Sequence, residues 1–178
     1  MERRAEFFNK ISFVFFLICF IWTLLLFIAP FALPTGSVND LSGLVAVCDN
    51  EHQISTMPFP WNSIYSSGDR LCHQIADRSF YLNGNEMPFC SRCTAIFVGL
   101  TVGLGFIAFY KIELDERFIA LIFIGIMPLG IDGIGQLFGF WESTNLIRVI
   151  TGILTGIVCG ISIGLIIDEL KMIFAKKG

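Results

Sequence analysis

Four apolar runs, each about as long as a lipid bilayer is thick, dominate the sequence. They cover residues 11–33, 94–110, 118–140 and 146–167. A helix needs about 20 mainly apolar residues to cross the hydrocarbon core, where only hydrogen-bonded backbone is tolerated. Apolar residues make up 54% of the chain and charged residues only 15%, which is too apolar for an ordinary soluble domain. The sequence therefore predicts a single all-α integral membrane domain over residues 1–178 with four transmembrane helices.

The first run also resembles a secretory signal, because cationic residues precede it. Its apolar stretch, however, is longer than the about 7 to 15 residues of a signal core. It ends at Pro30 and Pro34 without a clear small-x-small cleavage site. We therefore interpret this run as a retained membrane anchor.

Lysine and arginine concentrate on one side of the predicted helices. The N-terminus, the turn between the second and third helices, and the tail hold eight of the twelve: Arg3, Arg4, Lys10, Lys111, Arg117, Lys171, Lys176 and Lys177. Short cytoplasmic segments collect such cations. The sequence thus predicts a multi-pass plasma-membrane protein with cytoplasmic termini and a long extracytoplasmic loop over residues 34–93. The net charge of −3 and the lack of a basic patch argue against a nucleic-acid partner.

The outer loop contains two local structure signals. A short helix is expected from Asp69 to Phe80, with Asp69 near its N-terminal cap and Cys72 and His73 in its first turns. An Asn-Gly pair at Asn83, flanked by residues suited to strands, predicts a tight β-hairpin. Such a hairpin folds the chain that follows it back towards Cys72.

Cysteine and histidine in this loop predict a metal site of the zinc type. Cys72, His73, Cys90 and Cys93 combine a Cys-x-x-Cys knuckle with ligands about 20 residues away, which is typical of zinc loops. Adjacent Cys72 and His73 do not easily bind one ion from a regular helix, so His52, four residues after Cys48, is a rival fourth ligand.

Two other readings of the cysteines stay open. In a redox site, Cys90 and Cys93 are the exchanging pair at a helix N-terminus, Cys48 and Cys72 are the relay, and a quinone is the cofactor. In a structural role, disulfides only hold the loop together. An oxidising compartment favours the formation of such disulfides. The metal reading fits His73 and the hairpin spacing better.

Polar residues within the last two apolar runs point to a second functional group. Asp132, Gln136, Glu142, Asn145 and Arg148 all fall in the outer half of the membrane, on the side of the cysteines. Ionisable groups in hydrocarbon normally face a partner or a water-filled cavity. One reading is an ion pair between Asp132 and Arg148 that locks the helical hairpin. The other is an outward-opening polar pocket, with Asp132 as a proton carrier and Arg148 as a clamp for an anionic group.

Glycines predict how the helices pack. They recur every fourth residue along the last run, as a shorter pair in the second run, and less regularly in the third: Gly152, Gly156, Gly160 and Gly164; Gly99 and Gly103; Gly125, Gly130, Gly133, Gly135 and Gly139. Such faces let two backbones approach closely. We expect tight packing within one chain rather than homodimerisation.

Several short motifs resemble a known family. Cys72-His73-Gln74, Arg78-Ser79-Phe80 and Cys90-x-Arg92-Cys93 form its first half, and Pro128, Asp132-Gly133, Gln136, Glu142-Ser143, Asn145, Arg148 and Thr151-Gly152 its second. Together they are similar to the uncharacterised prokaryotic membrane proteins catalogued as domain of unknown function 2085. The resemblance implies no established activity, but it implies that the outer cluster and the intramembrane polar residues form one unit.

The functional expectation is a zinc-type site above an outward-opening polar pocket, in which the metal assists a reaction on a lipid-linked, amphipathic or anionic substrate. Membrane lipids are the expected surroundings. One alternative is a quinone-linked thiol-disulfide oxidoreductase, because the arrangement of four helices and loop cysteines resembles that of enzymes of the DsbB and vitamin K epoxide reductase type. Another alternative is a non-enzymatic structural or transport subunit.

Overall fold

The computed structural model describes residues 9–112 and 115–175. Four long helices are each apolar enough to cross a membrane, which confirms the predicted fold class. They are α1 (Lys10–Ile28), α4 (Ser91–Phe109), α5 (Glu116–Leu137) and α6 (Asn145–Ala175). Between α1 and α4 lie the short helices α2 (Glu51–Ser55) and α3 (Trp61–Leu71), the strands β1 (Tyr81–Leu82) and β2 (Asn85–Glu86), and two 3₁₀ turns (Ala29–Phe31 and Ala76–Arg78).

The ends of the long helices depart from the predicted bounds by a few residues. α4 begins three residues earlier than expected, and α6 continues eight residues further, to Ala175. α5 ends at Leu137 instead of residue 140, because Gly139 adopts a left-handed φ of 70°. The amide of Phe140 then donates to the carbonyl of Gly135 at 2.9 Å, and that of Gly139 to Gln136 at 3.1 Å. This pair of bonds is a Schellman cap.

Glycines join α4 and α6 at the centre of the fold. A Cβ atom on Gly99 or Gly103 would lie only 2.3 or 2.2 Å from a carbonyl oxygen of α6. Gly156 and Gly160 meet carbonyl oxygens of α4 in the same way, at 2.3 and 2.5 Å. This close backbone approach confirms the expected packing within one chain. A Cβ on Gly130 of α5, by contrast, would meet nothing within 4 Å.

α1 and α5 each pack against one helix of the central pair. α1 packs against α4, where the hydroxyls of Thr23 and Thr101 lie 3.1 Å apart. α5 packs against α6, and the Thr155 hydroxyl donates to the carbonyl of Gly125 at 3.1 Å. The main contacts among the four helices therefore follow the order α1, α4, α6, α5, and we call this set of helices the helix row.

The outer loop folds into a compact cap over one end of this row. Its apolar core contains Leu33, Val38, Leu41, Ile54, Met57, Ile64, Tyr65, Met87 and Phe89. The predicted hairpin is confirmed: Tyr81 pairs with Glu86, and Asn83 and Gly84 have φ angles of 52° and 70°. Two positive φ angles in a two-residue loop are typical of a type I′ turn.

The helix predicted over residues 69–80 is wrong. The helix in this region, α3, lies earlier in the chain and ends at Leu71, so Cys72 is extended rather than helical. Asp69 is buried near the C-terminal end of α3, where its carboxylate accepts a hydrogen bond of 2.8 Å from the Asn50 side chain instead of capping a helix start. The cause is packing: Gly68 lies so close to Pro88 that a Cβ would be 1.7 Å from its carbonyl oxygen.

The opposite end of the row carries the start of α1 and the end of α4. The amide of Asn9 donates to the carbonyl of Ala108 at 2.9 Å, and its side chain bonds to Asp168 of α6. Lys10, Lys111 and Arg117 lie in the segments at this end. The other cations that entered the orientation argument include Arg3, Arg4, Lys176 and Lys177, which lie outside the described residues.

Candidate metal centre

Three of the predicted ligands meet where the cap joins α4. The sulfur atoms of Cys72, Cys90 and Cys93 all lie within 4.8 Å of one another. Cys72 follows the last residue of α3, Cys90 caps the N-terminus of α4, and Cys93 lies in the first turn of that helix. Cys72 is buried and the other two are half-buried, so the cluster is sheltered.

Hydrogen bonds from the cap hold these sulfurs together. The buried side-chain amide of Gln74 donates to the carbonyl of Pro88 at 2.6 Å, which ties the segment after α3 to the segment before α4. The amide of Met87 donates to the carbonyl of Phe80 at 2.9 Å and continues the hairpin. The amide of Cys90 then donates to the sulfur of Cys72 at 3.4 Å. Amide donors to sulfur stabilise thiolates and orient metal ligands.

The three thiols also shift one another's pKa values. Hydrogen bonds from Cys72 and Cys93 lower the pKa of the Cys90 thiol. The pKa of the Cys72 thiol is raised, chiefly through its hydrogen bond to Cys90 and further through burial. Hydrogen bonds from the other two thiols thus favour the thiolate form of Cys90, and a cation that binds the three sulfurs displaces the remaining protons.

The other predicted ligands lie outside this cluster. His73 is exposed and its ring does not join the three sulfurs. Cys48 is exposed as well, and its sulfur accepts a hydrogen bond of 3.1 Å from Arg70. Together with Glu51 and Asp69 it lines a separate surface cavity of about 230 Å³. Cys48 and His52 are thus not brought to the three sulfurs.

The cluster forms part of the wall of a cavity of about 280 Å³. Side chains from the cap and from α4, α5 and α6 line it: Val45, Leu71, Cys72, His73, Ile75, Arg78, Cys90, Arg92, Cys93, Gln136 and Arg148. The cavity therefore brings together the cysteines, His73 and two of the intramembrane polar residues singled out from the sequence. It also contains two arginines, Arg78 and Arg92, that were not selected as site residues.

Asp132 has a different charged partner from the one considered in the ion-pair reading. It is buried in α5, and its carboxylate forms a salt bridge with Arg92 of the Cys-x-x-Cys knuckle. The side chains of Gln136 and Trp141 donate to the same carboxylate at 3.0 and 3.4 Å. Arg148, which is only 4% exposed, instead donates to neutral oxygens: to Gln136 at 3.2 Å and to Asn145 at 3.3 Å.

Asn145 and Glu142 occupy contrasting positions. The Asn145 side-chain oxygen also accepts a hydrogen bond of 2.8 Å from Ser91, so it links α6 to the knuckle. Glu142 is exposed in the turn before α6 and does not line the cavity. Four of the five intramembrane residues therefore belong to one network that reaches the cluster, and Glu142 lies apart from it.

The sequence contained a signal for a charged partner of Arg92. Arg92 stands between two ligand cysteines at the start of a membrane helix, where a cation works against the positive end of the helix dipole. A cation in such a position calls for a nearby anion. Asp132 is that anion, and only the tertiary fold brings the two helices together.

The fold and the site define a four-helix membrane protein with a cysteine cluster of metal-binding geometry at one end of its helices. Residues 72–162 match the family described as "Predicted membrane protein (DUF2085)", and the chain belongs to this family. It is 31% identical to "Uncharacterized protein MJ1492" of Methanocaldococcus jannaschii over 135 residues, which cover 74% of this chain and 76% of that protein.

A second archaeal relative covers a shorter part of the chain. An "Uncharacterized protein" of Methanothermobacter thermautotrophicus is 33% identical over 83 residues, 47% of this chain and 75% of that protein. No solved structure matches the chain. The family match begins at Cys72 and so includes all three sulfurs of the cluster together with Asp132 and Arg148.

Proposed function

We propose that this protein is a metal-dependent membrane enzyme whose three cysteines hold a zinc ion at the wall of the cavity. The proposal rests on one observation: the sulfurs of Cys72, Cys90 and Cys93 converge on a cavity that also contains polar and cationic side chains. Zinc–sulfur bonds of about 2.3 Å place tetrahedral sulfur ligands about 3.8 Å apart. The separations in the cluster, all within 4.8 Å, are close to that requirement.

Three ligands favour a reactive site over a purely structural one. Structural zinc sites are usually closed by four protein ligands, whereas catalytic sites keep one position for water or substrate. Among the described residues, no fourth cysteine, histidine or carboxylate joins the three sulfurs. A bound zinc ion supplies a Lewis acid and an acidified water for hydrolysis. His73 faces the same cavity and takes the role of an acid or base there, or of a fourth ligand if its ring turns inward.

The neighbouring polar residues bind and orient a substrate. Arg148 holds an anionic group, because it is buried and its hydrogen-bond partners are neutral. Asp132 was expected to carry protons. Its carboxylate already accepts hydrogen bonds from Arg92, Gln136 and Trp141, an arrangement that favours a positioning role in which it fixes the Arg92 guanidinium.

The cavity suits an amphipathic or lipid-linked substrate. Val45 and Leu71, which line it, are 46% and 67% exposed and offer an apolar surface beside the charged groups. We further propose that the cap faces outward from the plasma membrane and that both termini are cytoplasmic, since the cations concentrate at the other end of the helices. Substrate then enters from the outer leaflet or from the exterior.

The thiol-disulfide alternative requires a relay between Cys48 and Cys72. In the structure Cys48 contacts Arg70 in a different surface cavity, so this contact is not preformed. The relay step of the quinone-linked alternative therefore draws no support from the geometry, and the metal site remains our proposal.

Metal content tests the proposal. The purified full-length protein is expected to hold about one zinc ion per chain, which elemental analysis measures together with a count of free thiols. Cys93→Ser should lose the metal. Cys48→Ser, a matched change of a cysteine outside the cluster, should retain it. A metal-free protein that contains disulfides among Cys72, Cys90 and Cys93 would contradict the zinc site.

His73 distinguishes an open site from a closed one. If the three cysteines suffice, His73→Ala keeps the metal, and the cobalt-substituted protein changes its visible spectrum when a small anion takes the open position. If His73 is the fourth ligand, the same substitution lowers metal affinity by about 10-fold or more, and the spectrum of the unsubstituted protein does not respond to anions. Equilibrium dialysis and absorption spectroscopy separate the two outcomes.

A further inference from the structure

We infer that the cavity beside the cysteines binds a phosphate group, held by Arg78, Arg92 and Arg148. The inference deepens the proposed function by naming the class of anion, but it does not require the metal. It assigns a binding role to two arginines, Arg78 and Arg92, that spacing in the sequence did not single out.

The three arginines reach the cavity from separate parts of the fold. Arg78 ends the second 3₁₀ turn of the cap, Arg92 lies in the first turn of α4, and Arg148 lies in the first turn of α6. Like charges that share a small sheltered space repel one another, so the arrangement has a cost unless an anion lies among them. Among the described residues, the salt bridge from Asp132 to Arg92 is the ion pair these arginines form.

Several guanidinium donors remain available for a ligand. The Nε–H of Arg92 is buried and has no hydrogen-bond partner within the described part of the chain. Arg148 is 4% exposed and donates to two neutral side-chain oxygens. A buried cation is normally paired with an anion, and a buried donor is normally satisfied. Both residues line the cavity, and neither guanidinium has all of its donors and its charge matched by an anion as one bound oxyanion would match them.

The number of donors favours phosphate over carboxylate. A guanidinium group binds an oxyanion through two parallel N–H donors, and such forked pairs are the usual means of recognising phosphate. Three guanidinium groups from three elements line one cavity, and this number of donors suits an anion with three or four oxygens, whereas a carboxylate has only two. The volume of about 280 Å³ accommodates a phosphate ester with the first atoms of its alcohol.

The phosphate can belong to a lipid headgroup or to a soluble molecule, and the two sources are separable by experiment. Titration calorimetry on the full-length protein in detergent would use inorganic phosphate, acetate and a short-chain phosphatidic acid, with the matching short-chain phosphatidylcholine as a control. Phosphate is expected to bind at least about tenfold more tightly than acetate. Tighter binding of phosphatidic acid than of phosphate indicates a lipid headgroup, and equal binding indicates recognition of the phosphate group alone.

Variants of the arginines complete the test. Arg78→Gln should weaken phosphate binding by about tenfold or more, since a charge-assisted contact is lost. Arg78→Lys should bind phosphate with an affinity between those of wild type and Arg78→Gln, because lysine keeps the charge but lacks the two parallel N–H donors. Arg70→Gln, in the same cap but outside the cavity, is the matched control and should bind phosphate normally.

Metal content separates this inference from the proposed function. Arg78→Gln should keep its zinc, because Arg78 supplies no ligand. Phosphate that binds no better than acetate, or equally to wild type and Arg78→Gln, would overturn the phosphate site even if zinc is present. Phosphate binding by a protein that holds no metal would instead support the phosphate site and overturn the zinc enzyme.

Discussion

A single carboxylate connects α5 to the cysteine cluster. Asp132 is 5% exposed and is paired with Arg92, whose neighbours in the chain include Cys90 and Cys93. Removing one member of a buried ion pair leaves the other charge uncompensated, and that loss usually exceeds the net stabilisation from the pair. Arg92 is 23% exposed, so water screens part of the penalty.

We therefore expect Asp132→Asn to lower the free energy of unfolding by about 1 to 3 kcal/mol. Arg92→Gln combined with Asp132→Asn should be less destabilising than the sum of the single changes, because no charge is then left unpaired. Unfolding in mild detergent, followed by tryptophan fluorescence, measures all four proteins of this cycle. Strictly additive effects would show that the two side chains do not interact.

Glu86 makes the stability of the cap depend on pH. Its side chain is fully buried, one carboxylate oxygen accepts a bond of 3.1 Å from the amide of Leu41, and the other has no partner among the described residues. Burial raises its pKa above the usual value for a glutamate. The folded state consequently binds the proton more tightly than the unfolded chain. The free energy of unfolding therefore falls as the pH rises from the pKa of Glu86 in the unfolded chain through its higher pKa in the folded state.

Glu86→Gln removes that charge at every pH. The variant should be more stable than wild type at pH 7 to 8. Its Tm should rise by about 2 to 4 °C for each kcal/mol gained in the free energy of unfolding. The difference should shrink as the pH falls below about 4, because the carboxyl then becomes protonated in the unfolded chain as well as in the folded state. Glu51→Gln, at an exposed carboxylate in the same cap, is the control and should show no such trend. A gain that persists unchanged at low pH would contradict the charge argument.

At the scale of elements, the contact between α4 and α6 determines the membrane part of the fold. Gly156→Ala should destabilise the protein by about 1 to 3 kcal/mol, because its Cβ would lie 2.3 Å from the carbonyl oxygen of Ile96, in backbone that has no room to shift. Gly130→Ala on α5 meets nothing within 4 Å and gains helix propensity, so it should be neutral or stabilising. Thermal unfolding in detergent compares the two, and equal effects would contradict the proposed packing.

The elements could be predicted to different degrees, for physical reasons. Length and apolarity determine the four membrane helices, and the Asn83-Gly84 pair determines the hairpin, because both are local signals. The helix expected at residues 69–80 failed because tertiary packing of Gly68 against Pro88 moves the helix earlier in the chain. Helix propensity near a candidate cap residue does not indicate a tertiary contact of this kind.

The cysteines of the candidate site could be predicted from the sequence, whereas the contacts between its charged side chains could not. Cys72, Cys90 and Cys93 could be selected because ligand spacing is a property of sequence. The partner of Asp132 could not, since Arg92 lies 40 residues away on another helix, and only the tertiary fold brings the two side chains together. His73 follows Cys72 directly, yet the extended backbone at Cys72 directs neighbouring side chains apart.

At the scale of the whole molecule, charge and architecture divide it into two ends. The cap, the cluster and the cavity occupy one end of the helix row, and Lys10, Lys111 and Arg117 occupy segments at the other. The positive-inside rule then predicts that the cap is extracytoplasmic. Cys48 is an exposed thiol in the cap, whereas Cys19 and Cys159 lie within the membrane helices.

A membrane-impermeant maleimide applied to intact cells tests this orientation. A variant that retains Cys48 while the other five cysteines are replaced by serine or alanine should be labelled without permeabilisation. The equivalent variant with only Cys159 should remain unlabelled in intact membranes, since that thiol lies within α6. A cysteine introduced at Lys111 in the cysteine-free chain should be labelled only after permeabilisation. Labelling of Lys111→Cys but not of Cys48 in intact cells would reverse the topology, and substrate would then reach the arginine cavity from the cytoplasm.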